Sequence, residues 1–138
     1  MIITRLSVEA QAKTGFTHVA KITFADISTA TTINVQAVAI GSSIGQAVFH
    51  CTTTWNLTTP IFSFGVAATA TANAGLSGTA AACDAGQSLS NYATVTNNTA
   101  SRFLTFTLGT SSTATAGVGY LYYRYFDGAL ITNDPAAA

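Results

Sequence analysis

Hydrophobic and polar positions alternate along most of this chain, and a period of two is the spacing of β-strands. In residues 16–25, Phe16, His18, Ala20, Ile22 and Phe24 fall on one face, and Thr17, Val19, Lys21 and Thr23 on the other. Residues 32–40, TINVQAVAI, form a second extended run. A Ser- and Thr-rich turn from Asp26 precedes it, and a tight connection at Gly41 follows. In residues 44–56, Ala47, Phe49, Cys51, Thr53 and Trp55 share a face that reads as core, with Val48, His50, Thr52 and Thr54 outside. Residues 61–68, IFSFGVAA, and 102–108, RFLTFTL, are compact apolar strands. Gly65 reads as a bulge or a close backbone approach.

The remaining segments are less patterned. Residues 1–11 read as a short strand or arm, 12–15 as a turn, and 93–96 as a short strand. Residues 69–92 are rich in Ala, Gly, Ser and Thr without a period, which predicts a long loop with one short strand or helical turn. No amphipathic helix of ten residues or more stands out. About seven or eight short strands between turn signals predict an all-β fold, an antiparallel two-sheet β-sandwich that is jelly-roll-like. The whole chain, residues 1–138, reads as one domain, with residues 1–12 as an N-terminal arm or edge strand and 133–138 as a flexible tail.

The most aromatic run is residues 113–126, TATAGVGYLYYRYF. As a strand it puts Val118, Tyr120, Tyr122, Arg124 and Phe126 on one face and Gly119, Leu121, Tyr123 and Tyr125 on the other. Large apolar groups therefore point both ways, whereas a half-exposed strand is apolar on one face only. Two readings follow. The strand is central, with amphipathic tyrosines that tolerate water on its outer face. Alternatively it lies at a subunit interface, where Tyr is enriched and charge depleted. Tyr120, Tyr122, Tyr123, Tyr125 and Phe126 are the candidate packing and intersubunit residues. Ile2, Ile3, Leu6 and Val8 are the apolar residues of an arm that could strap onto a neighbour.

Composition sharpens this picture. Charged residues make up 7% of the chain, against roughly 25% in typical soluble domains. Thr, Ser, Asn, Gly and Ala fill the deficit, a surface suited to packing against copies of itself or a large assembly. The net charge is zero, and Arg5, Lys13, Lys21, Arg102 and Arg124 are scattered. Nucleic-acid binding needs clustered cations, so no nucleic-acid partner is expected. Residues 27–82 contain no Asp, Glu, Lys or Arg, yet polar residues interrupt the run well before the roughly 20 apolar residues of a spanning helix. No membrane partner is expected. The first residues lack the pattern of a secretory signal, which predicts synthesis in a cytosol. Cys51 and Cys83 read as two packed thiols, with a disulfide as the alternative.

No catalytic constellation is visible. The acids Glu9, Asp26, Asp84, Asp127 and Asp134 lie in or near turns or ends and read as turn caps. His18 and His50 sit on strands and read as packed or surface histidines. His50 and Cys51 are adjacent, so they point to opposite faces and cannot act as a nucleophile–base couple. Metal-ligand spacing and phosphate-cradling glycines are missing, so no cofactor or metal is expected. Trp55 with the tyrosines could form a sugar-binding platform, although its shared face with Phe49 and Cys51 favours core.

Three segments together resemble a group of tailed-bacteriophage virion proteins. They are HVAKITFADISTATTINVQAVAIGSSI (18–44), IGQAVFHCTTTWNLTTPIFSFGV (44–66) and TAGVGYLYYRYF (115–126). The resemblance implies a non-enzymatic, jelly-roll-like structural protein present in many copies on the virion. Capsid decoration or cement, and head-fibre or tail-associated domains, are the common roles, often as homotrimers. It implies two partners, a second copy of the chain and the major capsid protein or another virion protein. The expected location is the capsid surface or tail, after synthesis in the host cytoplasm. The alternative is a carbohydrate- or receptor-binding module on a head fibre or tail. The chain departs from the group between Val66 and Tyr92, where the group carries a longer, more acidic segment.

Overall fold

The computed structural model describes residues 1–27, 31–57, 61–67, 77–78, 86, 88–91, 95–96, 102–109 and 113–128. The elements are β1 (Ile2–Arg5), α1 (Val8–Thr14), β2 (His18–Thr23), β3 (Thr31–Val38), β4 (Ser43–Thr53), β5 (Ile61–Ala67), β6 (Ser77–Gly78), β7 (Ser88–Asn91), β8 (Val95–Thr96), β9 (Arg102–Gly109) and β10 (Val118–Phe126). They form two antiparallel sheets. The first runs β1-β2-β10-β4-β7, with β8 also on β4, and the second runs β3-β9-β5-β6. Counted inward from the ends, β2 pairs with β10, β3 with β9, β4 with β7 and β8, and β5 with β6. From β2 to β5 the chain crosses between the sheets at every connection, β5 and β6 pair within the second sheet, β7 and β8 return to the first, and β9 and β10 cross again. This nested antiparallel pairing is that of a jelly roll, with β1 added at one edge.

Alternation sets the core. Ala20 and Ile22 of β2, Ala47, Phe49 and Cys51 of β4, and Leu121 and Tyr123 of β10 are buried on one side of the first sheet. Phe62, Phe64 and Val66 of β5 and Leu104, Phe106 and Leu108 of β9 answer from the second. Phe49 bridges the sheets, with its ring 4.7 Å from Phe106 and 5.1 Å from Phe62. Trp55 closes one end against Phe62 at 5.2 Å and is core rather than a platform. Asn56 ties down the segment that feeds β10, since its Oδ1 accepts from Thr115 N–H and Ala116 N–H, both at 2.9 Å.

Several expectations need correction. Residues 12–15 are not a turn but the end of α1, a helix capped by the Ser7 hydroxyl and stopped by Gly15 at φ 78°. The helix buries no residue, so no apolar stripe marked it. Phe16 and Phe24 lie outside β2 and do not join the Ala20–Ile22 core face; Phe24 is exposed and Phe16 packs on Tyr122 at 5.9 Å. Thr53 is exposed at the end of β4. Gly65 carries no bulge, because β5 and β9 pair without a register shift. The irregularities lie elsewhere: β4 has one opposite Val118 and Gly119, which pair with Thr53 and Cys51, and one opposite Tyr123 and Tyr125, which pair with Ala47 and Ile44, and β3 has one between Asn34 and Gln36, which pair with Thr105 and Leu104. Of residues 69–92, expected to form a long loop with one short strand or helical turn, the described ones are the two strands β6 and β7 and Gly86; the others lie outside the described residues. Cys83, Asp84, Asp134 and residues 133–138 also lie outside the described residues, so the question of a Cys51–Cys83 bridge does too.

Candidate functional site

The register of the first sheet builds two distinct surfaces on β10. Tyr120 pairs with Lys21 and His50, and Tyr122 with Val19 and Val48. These rows face away from the core and are half-buried, Lys21 excepted, which is exposed. Ile2 continues the first row at the β1 edge and is 66% exposed. Phe16 packs on Tyr122 from the β2 side. Two tyrosines, Phe16, Val19, Val48 and Ile2 thus make a largely apolar outer surface with Lys21 as its cation.

The candidate residues divide between core and surface. Tyr123 is fully buried and donates its hydroxyl to Gln36 Oε1 at 3.0 Å, joining the two sheets. Burial pushes its phenol well above the ordinary range. Its role is packing within one chain. Tyr125 is half-buried, and its hydroxyl accepts from Ala39 N–H at 3.4 Å. Phe126 is 54% exposed beside Arg124, whose guanidinium lies across Gly45. A Cβ at Gly45 would stand 3.0 Å from Arg124 Nε. Ser43, Gly45, Arg124 and Phe126 line an open hollow there of about 380 Å³. Val8, on α1, is 84% exposed, Ile3 is exposed, and Leu6 is partly covered.

The second surface lies where β1, the start of β2 and the end of β10 converge. Arg5, Thr17, His18, Tyr125 and Asp127 line a hollow of about 270 Å³. His18 stacks on Tyr123 at 5.4 Å and 10°, and meets Tyr125 edge-on at 6.1 Å. The Thr17 hydroxyl lies 2.7 Å from His18 Nδ1 and accepts from Tyr125 N–H at 2.9 Å. Burial, and then the Arg5 charge opposite in the register, lower the His18 pKa. At the far end of β1, the Met1 ammonium pairs with Asp26 Oδ1. Asp26 Oδ2 accepts from Thr23 N–H at 2.8 Å and Thr23 Oγ1 at 3.0 Å. Partial burial would raise the Asp26 pKa, but these bonds outweigh it and hold the carboxyl low.

These shifts set an acid dependence. His18 titrates at an ordinary 6.5 when unfolded and lower when folded. As pH falls the unfolded chain therefore takes the proton first, so His18's stabilisation is complete above pH 6.5 and is lost on descent through its folded value. Asp26, lowered from 3.8, adds a second loss at more acid pH. Urea midpoints measured from pH 8 to pH 3 are expected to fall in two stages. His18→Gln is expected to abolish the upper stage and keep the lower one. A midpoint that is flat in wild type between pH 7 and pH 5 would remove His18 from this role.

Among the described residues no group of His, Cys, Asp and Glu could hold a metal ion, and no helix is long and apolar enough to cross a membrane. Comparison with protein families, curated proteins and solved structures finds no match for this chain. The outer surface of the first sheet could not be assembled from sequence alone. Its period marked Tyr120 and Tyr122, but Phe16, Val19 and Val48 join them only through strand order.

Proposed function

We propose that the protein is a non-enzymatic structural protein of a bacteriophage virion, a decoration or cement protein that self-associates, as a homotrimer, and binds the capsid surface. The observation that carries this reading is the outer surface of the first sheet. Tyr120, Tyr122 and Phe16 lie half-buried among Val19, Val48 and the exposed Ile2. Aromatic-rich, charge-poor patches mark contact surfaces. The jelly-roll topology and the 7% content of charged residues support it, since capsid proteins use this architecture and a neutral surface favours dense packing. A protein that binds only the assembled shell stabilises that shell by mass action.

The test has two parts. Sedimentation equilibrium from low to high micromolar concentration is expected to give a trimer, and Tyr122→Arg to give a folded monomer. Quantitative mass spectrometry of purified particles from the phage that encodes the chain is expected to find many copies per shell. A wild-type monomer at every concentration would end the self-association reading. A chain found only outside particles would end the virion reading.

A further inference from the structure

The hollow between β1 and the end of β10 is separate from the outer aromatic surface. Arg5 shares the core-side parity of His18 and Ala20 in the sheet register, yet it is exposed at the β1 edge. Its side chain lines the hollow from one side, and Asp127 and Tyr125 line it from β10 and just beyond. Among the described residues Arg5 makes no ion pair.

The lining has a definite chemistry. A guanidinium offers five N–H donors in a planar fork, and a carboxylate offers about four acceptor sites, enough to share with a ligand hydroxyl. The Tyr125 hydroxyl accepts from Ala39 and keeps its own proton to donate. The Tyr125 ring supplies an aromatic surface, and His18 supplies a second beside it. An anion would meet Asp127, and a cation would meet Arg5. A neutral ligand rich in hydroxyls can accept from Arg5 and donate to an acceptor site that the carboxylate shares. At about 270 Å³ the space is smaller than pockets for drug-sized ligands, and it fits one ring.

We infer that this hollow is a binding site for a neutral sugar ring, with Arg5 and Asp127 hydrogen-bonding its hydroxyls and Tyr125 packing against its apolar edge. The inference does not depend on the virion reading, because a jelly roll can carry a sugar site whether or not it coats a particle.

Saturation-transfer difference NMR on the full chain tests it, using neutral hexoses, 6-deoxyhexoses and N-acetylhexosamines, with hexuronic acids as the anionic comparison. The sugars are supplied at tens of millimolar, to match the roughly millimolar dissociation constant expected for a one-ring ligand. Transfer to ring protons of at least one sugar is expected. Arg5→Ala and Asp127→Asn are each expected to weaken it about tenfold or more, the loss of a charge-assisted hydrogen bond. Arg5→Lys, which keeps the charge but not the fork, is expected to lie between. Unfolding midpoints measured alongside show whether each variant is folded, and Arg5→Lys decides the matter if Asp127→Asn is not. No transfer to any sugar would overturn the inference. So would transfer that survives Arg5→Ala, or binding confined to anionic sugars.

Discussion

Replacing Gly119 with alanine is expected to destabilise the protein by about 3 kcal/mol, the upper end for overpacking a core. A glycine inside a strand ordinarily weakens it, so its presence here asks for a reason. The reason is Phe49. A Cβ on Gly119 would stand 2.2 Å from Phe49 Cζ and 2.4 Å from Cε2. The ring cannot yield cheaply, because Phe106 and Phe62 hold it at 4.7 and 5.1 Å from the second sheet. One methyl therefore pushes on the contact that joins the two layers. The check is a double-mutant cycle from urea unfolding at constant m. Phe49→Leu shortens the ring that Gly119 accommodates, so Gly119→Ala/Phe49→Leu is expected to be more stable than the sum of the single losses by at least ~1 kcal/mol. Strict additivity would mean that Gly119 serves some other end.

That pair shows what the sequence could and could not reveal. The period of two in residues 44–56 put Phe49 on the core face correctly; in residues 118–126 it set Leu121 and Tyr123 on one face without marking that face as the buried one. The sandwich followed from strand count and turn chemistry. Strand order was invisible, because β10 pairs with β2 and β4 across roughly 70–100 residues of chain, and nothing local encodes that. It is this order that puts Gly119 over Phe49. The β4 bulge opposite Tyr123 and Tyr125 was missed for a related reason. A register change leaves the composition of each strand intact and only moves Arg124 over Gly45 and Phe126 toward solvent. Helix α1 escaped because it buries nothing, although Ser7, Glu9, Lys13 and Gly15 carry its capping and charge signals. The hollow at Arg5 draws on three distant segments, each of which reads as an ordinary strand end.

Gly117 makes the second large case, at the other end of the sandwich. Its φ of 143° lies where side chains are strained, and a Cβ would stand 2.3 Å from Trp55 Cδ2. Gly15 and Gly41 also have positive φ, 78° and 84°, but nothing lies within 4 Å of a Cβ there. Alanine at Gly15 or Gly41 meets the conformational penalty alone, about 1–2 kcal/mol. Alanine at Gly117 meets strain of about 1–3 kcal/mol and overpacking of a similar size, so a loss of about 3–5 kcal/mol is expected. The indole cannot swing aside, because Trp55 is 2% exposed, packs edge-on against Phe62, and is backed by the Asn56 bonds to Thr115 and Ala116. Its Nε1–H is buried with no hydrogen-bond partner among the described residues. Trp55→Phe therefore removes a desolvated donor worth about 1–3 kcal/mol and is expected to cost less than its lost ring contacts would suggest. Trp55 is the one tryptophan in the chain, so its fluorescence reports unfolding in each of the glycine variants, and circular dichroism serves for Trp55→Phe. A Gly117→Ala loss no larger than that of Gly15→Ala would show that Trp55 does not rest on this glycine.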